Sequence, residues 1–322
     1  MVTSEAAAAR RVFTGEALRK QRSPWGDAFR QLLHNRVATA GGIFIILLII
    51  VAIAAPVIAP YGFAETHFQD NYARPGSTYL LGADYLGRDM LSRTIFGARV
   101  SLAVAFVAAT VSLIVGVAYG TTSGYAGGQI DNLMMRIVDF LYGLPVLIVI
   151  ILMQVFFKAV SRRQGVTGIM GLMVQLDTAL GGLFFVFVAL GLLNWIGMAR
   201  IARGQVLSYK EREFIEAARA VGVSTPRVLL RHLLPNILGP CIVAETLAIP
   251  GYIMTEAFLS YIGLGANPPT PSWGIMINEG FQGIRSYPHV ILVPAAALTL
   301  TVLAFNFLGD GLRDAFDPRL RE

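Results

Sequence analysis

Residues 213–240 read EFIEAARAVGVSTPRVLLRHLLPNILGP, a charged and helix-forming stretch placed between long uncharged runs. A helix that begins at Glu213 brings four apolar residues to one face, namely Phe214, Ala217, Ala218 and Val221. Gly222 then occupies the position at which helices commonly end in a left-handed residue. The first half of the stretch is therefore predicted to be a short helix with a defined end.

The second half carries the start signals of another helix. Thr225 is predicted to cap it, with Pro226 at its first position, and the helix is expected to run to Pro235, where an apolar span begins. We call residues 213–235 the elbow. Because most connections are about 4–6 residues long, a connector needs no such pair of helices. The elbow is expected to hold its shape in water and to present an alanine-lined surface to a protein partner.

The rest of the chain has the composition of a membrane protein. It is 55% hydrophobic and 14% charged, whereas soluble domains average about 25% charged residues. We predict an all-α polytopic membrane protein with six spans, at 38–60, 101–123, 139–157, 180–199, 236–257 and 288–309. The apolar segment 164–176 is too short to cross a bilayer, and we expect an interfacial turn outside the membrane.

Charge placement predicts the orientation of these spans. Eighteen of the 26 lysines and arginines fall in the segments 1–37, 124–138, 200–235 and 310–322. The positive-inside rule places such segments, and hence both termini and the elbow, in the cytoplasm. The cluster of Lys158, Arg162 and Arg163 in an outer loop is an exception to the rule.

The N-terminal segment 1–37 is predicted to be cytoplasmic and to contain an amphipathic helix at 23–36, started by Ser23 and Pro24. Its apolar face consists of Trp25, Phe29, Leu32 and Leu33. A helix on the membrane surface and a packed terminal helix fit equally well. The uncharged run that follows is longer than the roughly 7–15 residues of a signal-peptide core, so we expect an uncleaved first span.

The expected domain organisation follows from these segments. Residues 38–96 hold the first span and an extracytoplasmic segment, and residues 97–322 form the main transmembrane domain, which contains the elbow loop at about 200–235.

Several residues within the spans are candidates for packing or transport. Small residues at four-residue spacing predict a helix-packing seam, with a ligand-lining role as the alternative: Gly116, Gly120 and Gly124. Asp139 follows Arg136 by three residues and is expected to pair with it. Glu245 and Glu256 lie in the fifth span, where a carboxylate marks either a transport pathway or a structural hydrogen bond.

Motifs for chemistry are missing from the sequence. It has no GxxxxGK[ST] phosphate loop, no HExxH and no GxSxG, and its one cysteine, Cys241, and four scattered histidines have no ligand spacing. We expect no cofactor, no metal site and no nucleic-acid partner. An ion channel, a membrane scaffold and a membrane enzyme are the alternatives. The capped elbow argues against the first two, and the lack of a catalytic constellation argues against the third.

The elbow resembles the EAA loop of ABC-importer permeases, whose pattern is EAA-x3-G-x9-I-x-LP. Six residues match this pattern: Glu216, Ala217, Ala218, Gly222, Leu234 and Pro235. His232 stands where the pattern has isoleucine. Three more stretches, 80–102, 255–274 and 301–320, resemble the second permease subunit of dipeptide, oligopeptide and nickel importers.

The resemblance implies a type I ABC importer permease fold in a bacterial or archaeal cytoplasmic membrane. Two different permeases would form the pore, two cytoplasmic ATPases would bind ATP and magnesium, and an extracytoplasmic binding protein would deliver the substrate. The elbow would be the coupling helix, and transport would proceed by alternating access without catalysis by this chain. A di- or oligopeptide is the favoured substrate over nickel, because the sequence has no Cys/His cluster near the pore.

Overall fold

A computed structural model of the chain describes residues 24–163 and 165–316. Its main helices, numbered in chain order, are α1 Pro24–His34, α2 Arg36–Ile53, α3 Ala55–Ile58, α4 Met90–Ala126, α5 Gly128–Tyr142, α6 Val146–Ser161, α7 Gly168–Ala179, α8 Phe184–Tyr209, α9 Glu213–Ala220, α10 Thr225–Tyr261, α11 Trp273–Phe281 and α12 His289–Phe316. The proposed cap Ser23, the side chain of Trp25 and most of the N-terminal segment lie outside the described residues.

The predicted all-α architecture with six spans agrees with the helices. Among the described residues, α2, α4, α8, α10 and α12 are long and apolar enough to cross a membrane. The pair α5 and α6 supplies a sixth span, bent by 76°. The break falls at Gly143–Pro145, because Pro145 cannot donate a backbone hydrogen bond and disfavours a helical residue before it. The predicted span 139–157 therefore crosses a break in the helix.

Two elements on the side of the bundle opposite the elbow, which we call the far side, differ from the prediction. The segment 164–176 was expected to be a turn, but twelve residues from Gly168 form helix α7. The helix α11 was not predicted. Its N-cap is Ser272, whose hydroxyl accepts a hydrogen bond from the backbone N–H of Ile275 at 3.3 Å. Both helices are shorter than a span, so hydropathy alone could not reveal them.

The three predicted seam glycines of α4 lie against α8. A Cβ atom added to Gly120 would lie 2.1 Å from the carbonyl oxygen of Ala199, and one added to Gly116 would lie 2.5 Å from Cβ of Met198. At Gly124 the nearest atom, the carbonyl oxygen of Arg203, would be 3.1 Å away. The backbones of α4 and α8 can approach this closely because glycine has no side chain at the contact.

Helix α1 packs on the elbow end of α12. Ala28 is buried, and Leu32 reaches Gly311, where an added Cβ would lie 3.1 Å from the Leu32 side chain. Phe29 and Leu33 remain exposed. The helix is therefore a packed terminal helix with a free apolar edge that a membrane surface could cover.

Candidate functional site

Helix α9 is the first part of the elbow, and a left-handed glycine ends it, as the sequence predicts. Gly222 has φ +79°. Its N–H donates to the carbonyl oxygen of Arg219 at 2.9 Å, and the N–H of Val223 donates to that of Ala218 at 3.0 Å. These two bonds define a Schellman motif, which fixes the direction of the chain after the helix.

The second arm of the elbow differs from the prediction. Ser224, not Thr225, is the N-cap, and its side chain makes no capping hydrogen bond. The helix also does not stop at Pro235, because the π-helical turn Val228–Leu233 carries it into the fifth span. The last bond of this turn runs from the N–H of Leu234 to the carbonyl oxygen of Leu229, five residues back. The second arm and the span are thus one helix of 37 residues.

The predicted apolar face of α9 is divided between the protein and the solvent. Ala218 is buried, together with Ile215, which was not assigned to that face. Phe214 is 42% exposed and Val221 80% exposed, and Ala217 is also exposed. The helix rests on the bundle through Ile215 and Ala218, and its exposed apolar side chains lie on the other side.

The other predicted elbow residues do not form one site. Glu216 and Gly222 are exposed at the free edge of α9, whereas Leu234 is half-buried at the base of α10 and Pro235 is exposed there. His232, which departs from the pattern, lies half-buried in the π-helical turn. The predicted residues that remain exposed thus lie in two places, Glu216 and Gly222 at the free edge of α9 and Pro235 on α10.

A buried apolar cluster ties α9 to the spans. We call it the anchoring cluster, and its members come from four helices: Val117 of α4; Met198, Ala202 and Val206 of α8; Ile215 of α9; and Val228, Leu233, Ile237 and Cys241 of α10. Close-packed side chains transmit a displacement instead of absorbing it. A push on α9 is thus expected to move α10 in particular.

The two predicted carboxylates of α10 lie in different environments. Glu245 accepts hydrogen bonds from Ser112 Oγ at 3.0 Å and from the hydroxyl of Tyr252 at 2.8 Å. Glu256 is fully buried and accepts from the hydroxyls of Ser101 and Ser260, each at 2.7 Å. The residues are about 16 Å apart along the helix at 1.5 Å per residue, so they do not act as a pair.

The prediction that Asp139 pairs with Arg136 is wrong. Oδ1 of Asp139 lies 2.6 Å from Nη2 of Arg200 on α8. Asp131, eight residues earlier on α5, forms a bidentate pair with Arg203, with both distances 2.6 Å. A fork of two parallel hydrogen bonds adds geometric specificity to this second pair. These pairs hold α5 against α8.

A buried ion network on the far side escaped the sequence analysis. Asp84 pairs with Arg88 and Arg93, and both arginines also reach Glu279 of α11, at 3.1 and 2.7 Å. Burial lowers the pKa of Arg88, but the two carboxylates outweigh this effect and raise it overall. The signal in the sequence is D-x3-R-D-x3-R at 84–93, in which Asp89 instead caps α4.

Lys158, an exception to the charge bias, has a structural partner. Its Nζ donates to the carbonyl oxygens of Gly265 at 2.7 Å and Gly263 at 3.3 Å. These carbonyls follow the end of α10, so the ammonium group caps the loop after that span. A positive charge is thus kept on the far side by packing, against the charge bias.

Comparisons with known proteins agree with these features. The family model described as "Binding-protein-dependent transport system inner membrane component" matches residues 116–322. The model "N-terminal TM domain of oligopeptide transport permease C" matches residues 23–75.

Three relatives cover nearly the whole chain. The oligopeptide transport system permease protein OppC of Bacillus subtilis (strain 168) is 39% identical over 94% of this chain and 92% of its own length. The dipeptide transport system permease protein DppC of the same organism is 41% identical, over 92% and 86%. OppC of Escherichia coli (strain K12) is 39% identical, over 93% of both chains. The chain therefore belongs to the family of binding-protein-dependent transport system inner membrane components, as a multi-pass membrane permease.

Proposed function

We propose that this chain is one of two different permease subunits of an ATP-driven importer that carries di- and oligopeptides across a bacterial or archaeal cytoplasmic membrane. The peptide class is supported by the names of relatives that are about 40% identical over nearly the whole chain. The observation that supports the coupling role is α9, a short helix with a free apolar edge that packs through Ile215 on three span helices.

The free edge of α9 is proposed to dock in a groove of a cytoplasmic ATPase. Phe214, Ala217 and Val221 would fill the groove, with Glu216 at its rim. ATP and magnesium would bind to the ATPases, whose closure pushes α9. The push reaches α10 through Ile215 in the anchoring cluster, and the spans alternate between inward- and outward-facing states.

The far side is proposed to receive an extracytoplasmic binding protein that delivers the peptide. The Asp84 network and Lys158 hold that surface together. We propose that Glu256, fixed by two serine hydroxyls at the far end of α10, keeps this end of the transport path closed. Glu256→Gln is expected to lower peptide uptake and leave the complex assembled. If the complex fails to assemble, the role of Glu256 is structural.

The docking role is tested by a charge reversal at the rim. Glu216→Lys should weaken ATPase retention in a pull-down by about fivefold or more, because rim charges set recognition at an interface. The exposed far-side carboxylate Glu65 offers a matched control, and Glu65→Lys should retain the ATPases fully. Wild-type retention by Glu216→Lys would contradict docking through this edge.

Orientation and substrate need separate measurements. In a variant with Cys241 replaced, a cysteine at Ser286 should react with an impermeant external reagent, and one at Ser208 should not. The reverse labelling pattern would overturn the proposed orientation. Reconstituted with its partners, the chain should support ATP-dependent peptide uptake, and alone it should support none. Uptake of nickel in place of peptide would contradict the substrate class.

A further inference from the structure

Glu245 and Glu256 are buried carboxylates of α10 that accept from hydroxyl groups, and Glu245 is the one of the two that lines the cavity described below. Asp131 and Asp139 each face an arginine of α8. None of the ion pairs among the described residues includes Glu245, whose oxygens accept only from the hydroxyls of Ser112 and Tyr252. A carboxylate without a cation is costly at this depth in a span and marks either a transport pathway or a structural hydrogen bond, and the adjoining cavity favours the pathway for Glu245.

Glu245 lines a half-open cavity of about 300 Å³ whose walls come from α4, α5, α6, α8 and α10. This volume is at the lower end of ligand pockets, which run from about 300 to 1,000 Å³. The polar groups of its wall come from Ser112, Tyr142, Asn194 and Tyr252, and most of the remaining wall is apolar. An apolar wall with a few convergent polar groups is typical of a small-molecule site.

The break in the third span opens onto the same cavity. Tyr142 ends α5, Val146 begins α6, and both line the cavity. Non-helical backbone at membrane depth is tolerated where protein buries it or where it lines a polar cavity, and transporters place substrate sites at such breaks. The break and the unpaired carboxylate therefore indicate the same site independently.

We propose that this cavity is a transit site for the amino-terminal ammonium group of a peptide, with Glu245 as its counter-charge. The inference rests on the proposed peptide importer. One carboxylate and two hydroxyls suit an ammonium group, which has three donors, and are too few oxygen ligands for a bare divalent cation. The apolar wall, which includes Val146, Leu193 and Ala248, faces the first side chain of the peptide.

The site lies on the route by which the elbow moves α10. Ala244 packs against the anchoring cluster, to which Ile237 and Cys241 belong, and it is the immediate neighbour of Glu245. A displacement of α9 would thus move Glu245 relative to Ser112 on α4. The ATPases would in this way change the affinity of the cavity for the ammonium group during the cycle.

The test compares the uptake of two peptides by two forms of the complete importer, wild type and Glu245→Gln, each reconstituted with the binding protein. One peptide has a free amino terminus, and the other is its des-amino analogue. We expect the analogue to enter wild-type proteoliposomes at least about tenfold more slowly, because an ammonium–carboxylate hydrogen bond is lost. In Glu245→Gln the ratio should fall by about fivefold or more relative to wild type. Discrimination by the binding protein affects both proteins equally and cancels in the comparison.

Two further variants keep the test decisive. Glu256→Gln removes the other buried carboxylate of α10 and should keep the wild-type ratio of the two peptides, whatever its effect on the rate. Should Glu245→Gln fail to assemble, Asn194→Lys supplies a built-in ammonium group in the same cavity and should abolish the discrimination. An unchanged ratio in Glu245→Gln, or in Asn194→Lys where that variant replaces it, overturns the inference. A wild-type importer that carries neither peptide instead refutes the proposed function.

Discussion

Replacing Gly222 by valine tests whether the geometry of the elbow matters for coupling. Gly222 has φ +79°, and an added Cβ would meet no atom within 4 Å. An added Cβ therefore causes no clash, and backbone strain is the main effect expected of the substitution. A non-glycine residue in the left-handed region costs roughly 1–2 kcal/mol, with β-branched residues at the upper end. If the elbow leaves this conformation, the two Schellman hydrogen bonds are lost and α9 turns relative to α10.

A cost of roughly 1–2 kcal/mol lowers the population of the docking conformation by about 5- to 30-fold. We expect the same factor in ATPase retention, measured by pull-down from mild detergent, and a parallel fall in peptide uptake. Gly222→Asn should lie between wild type and valine, because asparagine tolerates the left-handed region best among residues with a side chain.

Gly204 is the matched control. It is an exposed glycine inside α8, an added Cβ there also meets nothing, and its φ is not positive. Gly204→Ala should therefore dock and transport normally, with stability raised by up to about 1 kcal/mol. Wild-type docking and uptake in Gly222→Val would refute the reasoning, since the loop would then be a connector whose conformation has no effect on the ATPases.

Three further predictions concern the bundle itself. Gly120→Ile should prevent assembly, because its Cβ would lie 2.1 Å from the carbonyl oxygen of Ala199; a complex of normal yield on size-exclusion chromatography would contradict the seam. Glu279→Gln should destabilise the complex by about 3–5 kcal/mol, because it leaves buried Arg93 with less compensating charge; an unchanged thermal midpoint would show that the network contributes little. Lys158→Met removes a charged donor from two backbone carbonyls and should lower the stability of the complex by about 1.5–3 kcal/mol in the thermal assay. The loop after α10 should also become more sensitive to proteolysis, and protection equal to wild type would contradict this cap.

The sequence alone determined the elements that depend on local chemistry. Runs of apolar residues long enough for a bilayer predicted the six spans, since only a helix satisfies its own backbone in lipid. The left-handed end at Gly222 followed from a single residue type, because glycine alone adopts that conformation without strain. The seam glycines were recognisable from their spacing, although their partner helix was not.

Only the tertiary structure decided which groups meet. Asp139 pairs with Arg200 across helices rather than with its neighbour Arg136, because distant parts of the chain bring the better geometry. The second arm of the elbow continues into α10 through a π-helical turn that ends just before Pro235, a bond pattern that no propensity predicts. The cavity at Glu245 likewise exists only where five helices converge. Local sequence fixes how a segment folds, whereas partners, cavities and coupling routes depend on the packing of segments far apart in the chain.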